Sequence, residues 1–325
     1  MNVAVYRSAE AAASIRAQYR NVLEQWPVPR TEMQVPTRQG KTFVVICGRE
    51  DGPPVVLLHG SQANSAAWMP DIPAWSRKFR LHAIDMIGEP GLSALSRPGL
   101  AGEAHALWLD DVLSGLGLSR AAFVGTSLGG WLALDYARRR PEAVQALALI
   151  CPAGIGRQKN FLLKALPLLV LGSWGKRKMR GLIFGPAPET IPDGLRPFAA
   201  LMDLIAEAVR PRILKIPWLT DKQLQALAMP ILAIVGGRDA LLDSADTRDR
   251  LRKNTPQAEI CFLKDGYHYL PDQTGRVMAF LERRASGARS AAQAPNAPTT
   301  TTQAAITAMV EAADSAPAAG LPKRA

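Results

Sequence analysis

A chain of 325 residues, 48% hydrophobic and 21% charged, has the composition of an ordinary soluble globular protein and enough apolar side chains for a large folded core. The formal net charge of +11 raises nucleic acid or an anionic membrane as partners. Twelve Lys and Arg residues against five Asp and Glu lie between positions 156 and 228, so much of the excess is local. Because no nucleic-acid-binding motif accompanies it, we interpret it as a solvated basic surface and predict no nucleic-acid partner.

The sequence also bears on compartment and cofactors. The first twenty residues contain recurring charges and no continuous apolar stretch, so no secretory signal is predicted, and no apolar run is long enough for a membrane span. Cys47, Cys151 and Cys261 are odd in number and far apart. We interpret them as small core residues of a cytoplasmic protein, and we predict neither a disulfide set nor a metal site.

The N-terminal third begins with a predicted helix over 9–26, whose apolar residues recur on one face until Pro27 and Pro29 end it. Residues 1–35 are therefore predicted to be an N-terminal helix and linker. Apolar runs of strand length follow at 41–47, 54–58 and 81–85. An irregular helix is predicted over 65–79.

The rest of the chain continues the alternation, with an amphipathic helix over 101–118. Further strands are predicted at 121–124, 143–150, 231–235 and 259–263. This order predicts an α/β fold with a mostly parallel central sheet and helices on both faces. We assign its core to 36–155 and 229–284. Residues 156–228 are helical and should roof the carboxyl edge of the sheet, and the Ala-, Pro-, Ser- and Thr-rich residues 285–325 are predicted to be disordered.

The segment Gly125-Thr126-Ser127-Leu128-Gly129 lies between a predicted strand and a predicted helix. Gly-x-Ser-x-Gly in this context predicts a nucleophile elbow, in which a strained serine projects its hydroxyl above the sheet. Small residues are needed on either side because strand and helix pass very close to each other. The first N–H groups of the following helix point to where an oxyanion would form.

Two more chemical groups follow Ser127 at the ends of later strands. Asp239 comes directly after the strand 231–235, and His268 follows the strand 259–263. Carboxyl ends of parallel strands meet at one edge, so these side chains are expected beside Ser127. Ser, then Asp, then His is also the chain order of hydrolases with this elbow. Asp243, four residues after Asp239, remains an alternative acid.

Together these motifs resemble the α/β-hydrolase fold superfamily in its capped, esterase-like branch, over about 36–284. The motifs are His59-Gly60, Asp85-Met86-Ile87-Gly88, Gly125 to Gly130, Gly237-Arg238-Asp239 and Gly266-Tyr267-His268. Including 25–29, the sequence looks most like small bacterial carboxylesterases that cleave bulky aryl-propionate esters. The loop after Asp85 departs from the pattern, with Gly-Glu-Pro-Gly-Leu-Ser in place of Gly-x-Gly-x-Ser.

The resemblance implies a helical cap inserted after the sixth strand, no cofactor, and a serine hydrolase acting on small-molecule carboxylic esters. It assigns Ser127 as nucleophile, His268 as general base and Asp239 as its orienting acid. The main-chain N–H groups of Ser61 and Leu128 would form the oxyanion hole, whose loop His59 would brace.

Alternative functions use the same three side chains. A C–C bond hydrolase or a lactonase would need no other residues, and a slow-turnover ligand receptor could retain all three. No oligomeric state is predicted. Apolar side chains of the inserted segment are candidates for the substrate pocket: Phe161, Leu162, Leu166, Leu169, Trp174, Phe184 and Met202.

Overall fold

The computed structural model of the chain describes residues 5–161, 168, 171–186, 190–191, 193–210 and 215–293. Eight strands form one sheet in these residues, in the spatial order β1-β2-β4-β3-β5-β6-β7-β8. They are β1 (Arg30–Val35), β2 (Thr42–Gly48), β3 (Pro54–Leu58), β4 (Arg80–Ile84), β5 (Ala121–Thr126), β6 (Val144–Ile150), β7 (Ile231–Gly236) and β8 (Ala258–Leu263). Only β2 runs antiparallel to its neighbours, so the predicted mostly parallel sheet is confirmed.

Helices connect these strands and cover both faces of the sheet. They are α1 (Ala9–Glu24), α2 (Ile72–Trp75), α3 (Ala104–Gly115), α4 (Leu128–Arg139), α5 (Gly172–Phe184), α6 (Arg196–Ala208), α7 (Asp221–Gln225), α8 (Ser244–Asn254) and α9 (Thr274–Gln293). Short 3-10 turns occupy Ser65–Trp68, Pro141–Ala143 and Asp193–Leu195. Within the described ranges, every helix is too short or too polar to cross a lipid bilayer.

The sheet separates two layers of buried apolar side chains. One layer includes Tyr19 of α1 and Phe280 of α9, and the other includes Trp108 of α3 and Trp131 of α4. Strand β7 is buried along its whole length. A strand covered on both faces needs apolar side chains throughout, which is why continuous apolar runs identify the central strands in the sequence.

The N-terminal helix is held at its start and along its buried face. The Ser8 hydroxyl accepts the Ala11 N–H at 3.1 Å, which caps the first turn of α1. Before the helix, Tyr6 forms an isolated antiparallel bridge with Val209, directly after α6. Farther along, the Tyr19 hydroxyl donates to Asp85 Oδ1 at 2.9 Å, and both side chains are fully buried. The segment from Tyr6 to the end of α1 is therefore built into the core.

The secondary structure differs from the sequence prediction at two places. Residues 30–35, assigned to a linker, form β1 and pair with β2 along the sheet edge. Residues 285–293, assigned to the disordered tail, continue α9. Their Ala and Arg residues favour helix even without apolar side chains to bury. The remainder of the predicted tail, 294–325, lies outside the described residues.

The segment between β6 and β7 contains α5, α6 and α7 and, in its described part, no strand. Of its pocket candidates, Leu162, Leu166 and Leu169 lie outside the described residues. Trp174 and Phe184 are about half exposed, at 53% and 52% of their surface. The segment is joined to the strand-end loops by an isolated bridge between Gln158 and Leu242.

Candidate active site

Ser127 lies between β5 and α4 in a strained backbone conformation. Its φ of 52° and ψ of −110° are unusual for a residue with a side chain, as the predicted elbow requires. The turn is fixed on both sides, because the Ser127 N–H donates to Ile150 O at 3.0 Å and its carbonyl accepts the Trp131 N–H at 3.0 Å. The hydroxyl is therefore presented at the carboxyl edge of the sheet.

The glycines on either side of Ser127 provide the clearance predicted from the sequence. A Cβ on Gly125 would lie 2.6 Å from the Gly129 carbonyl oxygen, well inside van der Waals contact. A Cβ on Gly129 would overlap the carbonyl oxygens of Leu58 and His59. Helix α4 can therefore approach the ends of β3 and β5 only because both positions lack side chains.

The imidazole of His268 connects the serine to a buried carboxylate. His268 Nε2 lies 3.0 Å from Ser127 Oγ, and His268 Nδ1 lies 2.7 Å from Asp239 Oδ2. Asp239 is 1% exposed and His268 is 8% exposed, whereas Ser127 is half-buried and reachable. The arrangement can accept a proton from the serine hydroxyl and stabilise the imidazolium that results.

Two loops are joined to bring Asp239 and His268 together. The Gly237 N–H donates to Leu263 O at 2.7 Å, and the Arg238 N–H donates to Gly266 O at 2.8 Å. These bonds continue the pairing of β7 with β8 beyond the strand ends. Since both loops leave the same edge of the sheet, two residues 29 positions apart become neighbours.

The two candidate acids have different partners. Asp239 Oδ1 accepts the N–H groups of Leu241 and Leu242 at 2.8 and 3.0 Å, which leaves Oδ2 directed at His268. Asp243 instead caps α8, where its Oδ1 accepts the Asp246 N–H at 3.0 Å. The carboxylate bonded to the imidazole is therefore that of Asp239.

The loop after β3 passes directly beside the serine. A Cβ on Gly60 would lie 3.7 Å from Ser127 Cβ, so Ser61 follows at the edge of the site. His59 Nε2 accepts the Met86 N–H at 3.0 Å, which places its proton on Nδ1, 2.7 Å from Gly60 O. Burial lowers the pKa of His59, which favours the neutral imidazole. The two hydrogen bonds of this ring hold the loop after β3 in place. Leu128, the other residue predicted to supply an N–H, begins α4.

Two polar groups beside these side chains were not predicted from the sequence. Glu89 is 1% exposed and accepts the Gln62 N–H at 2.7 Å. Cys151 is also buried, at a positive φ of 43°. The departure from the Gly-x-Gly-x-Ser pattern after Asp85 is the one sequence signal that could have drawn attention to Glu89.

Cys151, Asp239 and His268 are the one group of potential metal ligands in the described part of the chain, with donor atoms within 4.8 Å of one another. Burial raises the pKa of the Cys151 thiol, and the charge of Asp239 raises it further. A metal would require the thiolate and would compete with the bond between His268 and Asp239. The residues therefore fit a proton relay better than a metal site.

The segment between β6 and β7 contacts the histidine loop through α5. The main-chain N–H of His268 donates to Ile183 O, in the last turn of α5, at 3.0 Å. A Cβ on the adjacent Gly185 would lie 2.8 Å from the Tyr267 ring, and Gly185 has a φ of 85°. The end of α5 is thus packed directly on the residues that carry the imidazole.

A serine in a sharp turn between a strand and a helix, on a mostly parallel eight-stranded sheet, is the arrangement found in the α/β-hydrolase fold. A family model described as the alpha/beta hydrolase fold matches residues 53–180. The chain belongs to the α/β-hydrolase family, in its esterase-like branch.

Two of the relatives are named as carboxylesterases of Bacillus subtilis (strain 168). The uncharacterized carboxylesterase nap is 30% identical over 273 residues, which cover 81% of this chain and 90% of that protein. Carboxylesterase YbfK is 28% identical over 284 residues, covering 85% and 96%. The crystal structure of naproxen esterase from Bacillus subtilis is similar with a TM-score of 0.73 and 28% identity, covering 85% of this chain and 99% of that one.

Proposed function

We propose that the protein is a serine esterase that cleaves small-molecule carboxylic esters through an acyl-enzyme. The observation that carries the proposal is the continuous hydrogen-bonded path from Ser127 Oγ through His268 to Asp239. The similarity to carboxylesterases over most of the chain supports esters as the substrate class.

In the proposed mechanism, Ser127 Oγ attacks the ester carbonyl while His268 Nε2 takes its proton. The protonated imidazole then gives that proton to the alkoxide leaving group, and the acyl group remains on Ser127. Water, activated by the same imidazole, releases the acid and restores the serine. Asp239 holds His268 in the tautomer with its proton on Nδ1 and stabilises the imidazolium in both halves of the cycle.

The tetrahedral intermediate would be stabilised by the main-chain N–H groups of Ser61 and Leu128. Donors of this type typically contribute about 2.7–4 kcal/mol of transition-state stabilisation each. We further assign residues 156–228 as a cap over the substrate pocket. The bond from His268 N–H to Ile183 O supports this assignment, since it ties α5 to the site. The excess of Lys and Arg over Asp and Glu in residues 156–228 would attract anionic substrates.

The test is hydrolysis of a chromogenic short-chain ester such as p-nitrophenyl butyrate. Ser127→Ala should remove activity and fluorophosphonate labelling while the circular dichroism spectrum is retained. Retained turnover in Ser127→Ala would refute the proposal. Wild-type turnover of only a few events per hour, with tight product retention, would favour a ligand receptor.

Asp239 and Asp243 provide a matched pair of variants. Asp239→Asn should lower kcat by roughly 10⁴-fold, because an amide cannot hold the required tautomer. Asp243→Asn should leave kcat within about twofold, since asparagine is also a good helix cap. The reverse pattern would assign the acid to Asp243. Lactones and vinylogous keto acids in the same panel would separate esterase from lactonase and C–C bond hydrolase.

A further inference from the structure

The carboxylate of Glu89 lies beside the proposed oxyanion loop, although no step of the mechanism above uses it. Glu89 is 1% exposed and comes from the loop after β4. Its Oε2 accepts the main-chain N–H of Gln62 at 2.7 Å, and the Ser61 hydroxyl lies 3.5 Å from the same oxygen. Glu89 and Leu128 also line the same small cavity.

The peptide groups on either side of Ser61 are each held by one side chain. His59 Nδ1 bonds to Gly60 O at 2.7 Å. Because C=O and N–H of a trans peptide point in opposite directions, this bond turns the Ser61 N–H away from His59. Glu89 fixes the next peptide through the Gln62 N–H. Both backbone dihedrals of Ser61 are thereby constrained.

The bond to Glu89 also supports an unfavourable backbone conformation. Gln62 has a φ of 58°, in the left-handed region that residues other than glycine and asparagine rarely adopt. A strained residue of this kind persists only where its surroundings enforce it. In the absence of the carboxylate, Gln62 would relax, and the peptide that precedes it would rotate.

We propose that Glu89 is a positioning residue that shapes the oxyanion loop, so that the Ser61 N–H points to the carbonyl oxygen of the substrate. This inference rests on the proposed function. Glu89 acts through the backbone of Ser61 and Gln62 and does not touch the reacting atoms. Glu89, in the loop that departs from the Gly-x-Gly-x-Ser pattern, would thus have a specific role in organising the site.

The kinetic test compares two substitutions at position 89, with kcat referred to the active fraction titrated by a fluorophosphonate. Glu89→Ala should lower kcat on the order of 10²-fold with little change in KM, because an oxyanion donor acts in the transition state. Glu89→Gln keeps an oxygen acceptor for the Gln62 N–H, so kcat should remain within about fivefold of wild type.

A second substitution tests whether backbone conformation is the cause. Glycine adopts positive φ at little cost, so adding Gln62→Gly to Glu89→Ala should recover kcat by roughly tenfold. Asn64 is the matched control, since its side-chain amide donates to Pro90 O at 3.0 Å and ties the same two loops away from Ser61. Asn64→Ala should lower the melting temperature but change kcat by less than about threefold.

A structural measurement separates this inference from the proposed function. Crystal structures of wild type and Glu89→Ala should show the Gln62 backbone at positive φ only when the carboxylate is present. An unchanged loop in Glu89→Ala, or equal loss of kcat in Glu89→Gln and Glu89→Ala, would overturn the role of Glu89. If wild type hydrolyses no ester but the loop still rearranges, the proposed function fails and the positioning by Glu89 stands.

Discussion

The buried histidine of β4 should make folding stability depend on pH. His82 lies in the middle of the sheet, with Ile46 of β2 and Val56 of β3 as its register partners. Its Nδ1 has no hydrogen-bond partner among the described residues. Burial, helped by the positive charge of Arg80, lowers the pKa of His82 to about 4, from 6.5.

The direction in which stability changes with pH follows from the protons that the folded and unfolded states bind. Between pH 6.5 and 4 the unfolded chain binds a proton at His82 that the folded protein excludes, so stability falls as the pH is lowered through this range. For these two pKa values, about 2.5 kcal/mol of unfolding free energy should be lost between about pH 7.5 and 4.5. That is a large part of the stability of a typical domain.

The assay is urea unfolding of wild type and His82→Leu at pH 7.5 and 4.5. Leucine has a similar volume and does not titrate, so the variant should lose about 2.5 kcal/mol less than wild type on acidification. Other groups, including His59, are present in both proteins and cancel in the comparison. Equal losses in the two proteins would refute the buried, neutral state of His82.

Three other changes have defined outcomes. Gly129→Ala should lower the melting temperature and reduce ester hydrolysis at least 10²-fold, because its Cβ would displace the backbone at Leu58 and His59; normal activity would contradict this packing. Tyr19→Phe should cost about 1–3 kcal/mol in urea unfolding, since a bond to the buried Asp85 is lost, and an unchanged midpoint would argue against it. His268→Ala should lower kcat for ester hydrolysis by at least roughly 10³-fold, because Ser127 Oγ then has no base beside it, and activity near the wild-type level would exclude His268 as base.

The central sheet could be predicted because its strands are buried on both faces. Strands β3, β5, β6 and β7 read as continuous apolar runs, and each lies close to its predicted position. Strand β1 gave no such signal. Four of its six residues are exposed and only Val35 is buried, so neither an apolar run nor an alternating pattern marks it.

The candidate site could be predicted in part, for a different reason. Ser127, Asp239 and His268 each follow an apolar strand, and the sheet brings strand ends together. The choice between Asp239 and Asp243 depends on which carboxylate the turn directs at the imidazole, which no local pattern encodes. Glu89 is harder still to predict as part of the site, because its partner Gln62 lies in another loop, 27 positions away.

The pairing of Tyr6 with Val209 has a consequence for synthesis on the ribosome. About 200 residues separate the two, so at 5–20 residues per second Tyr6 emerges roughly 10–40 s before its partner. The hydrogen bond from the Arg7 N–H to Ala208 O is likewise impossible until Ala208 has emerged. The nascent chain therefore has to keep Tyr6 and Arg7 unpaired until Val209 has been translated.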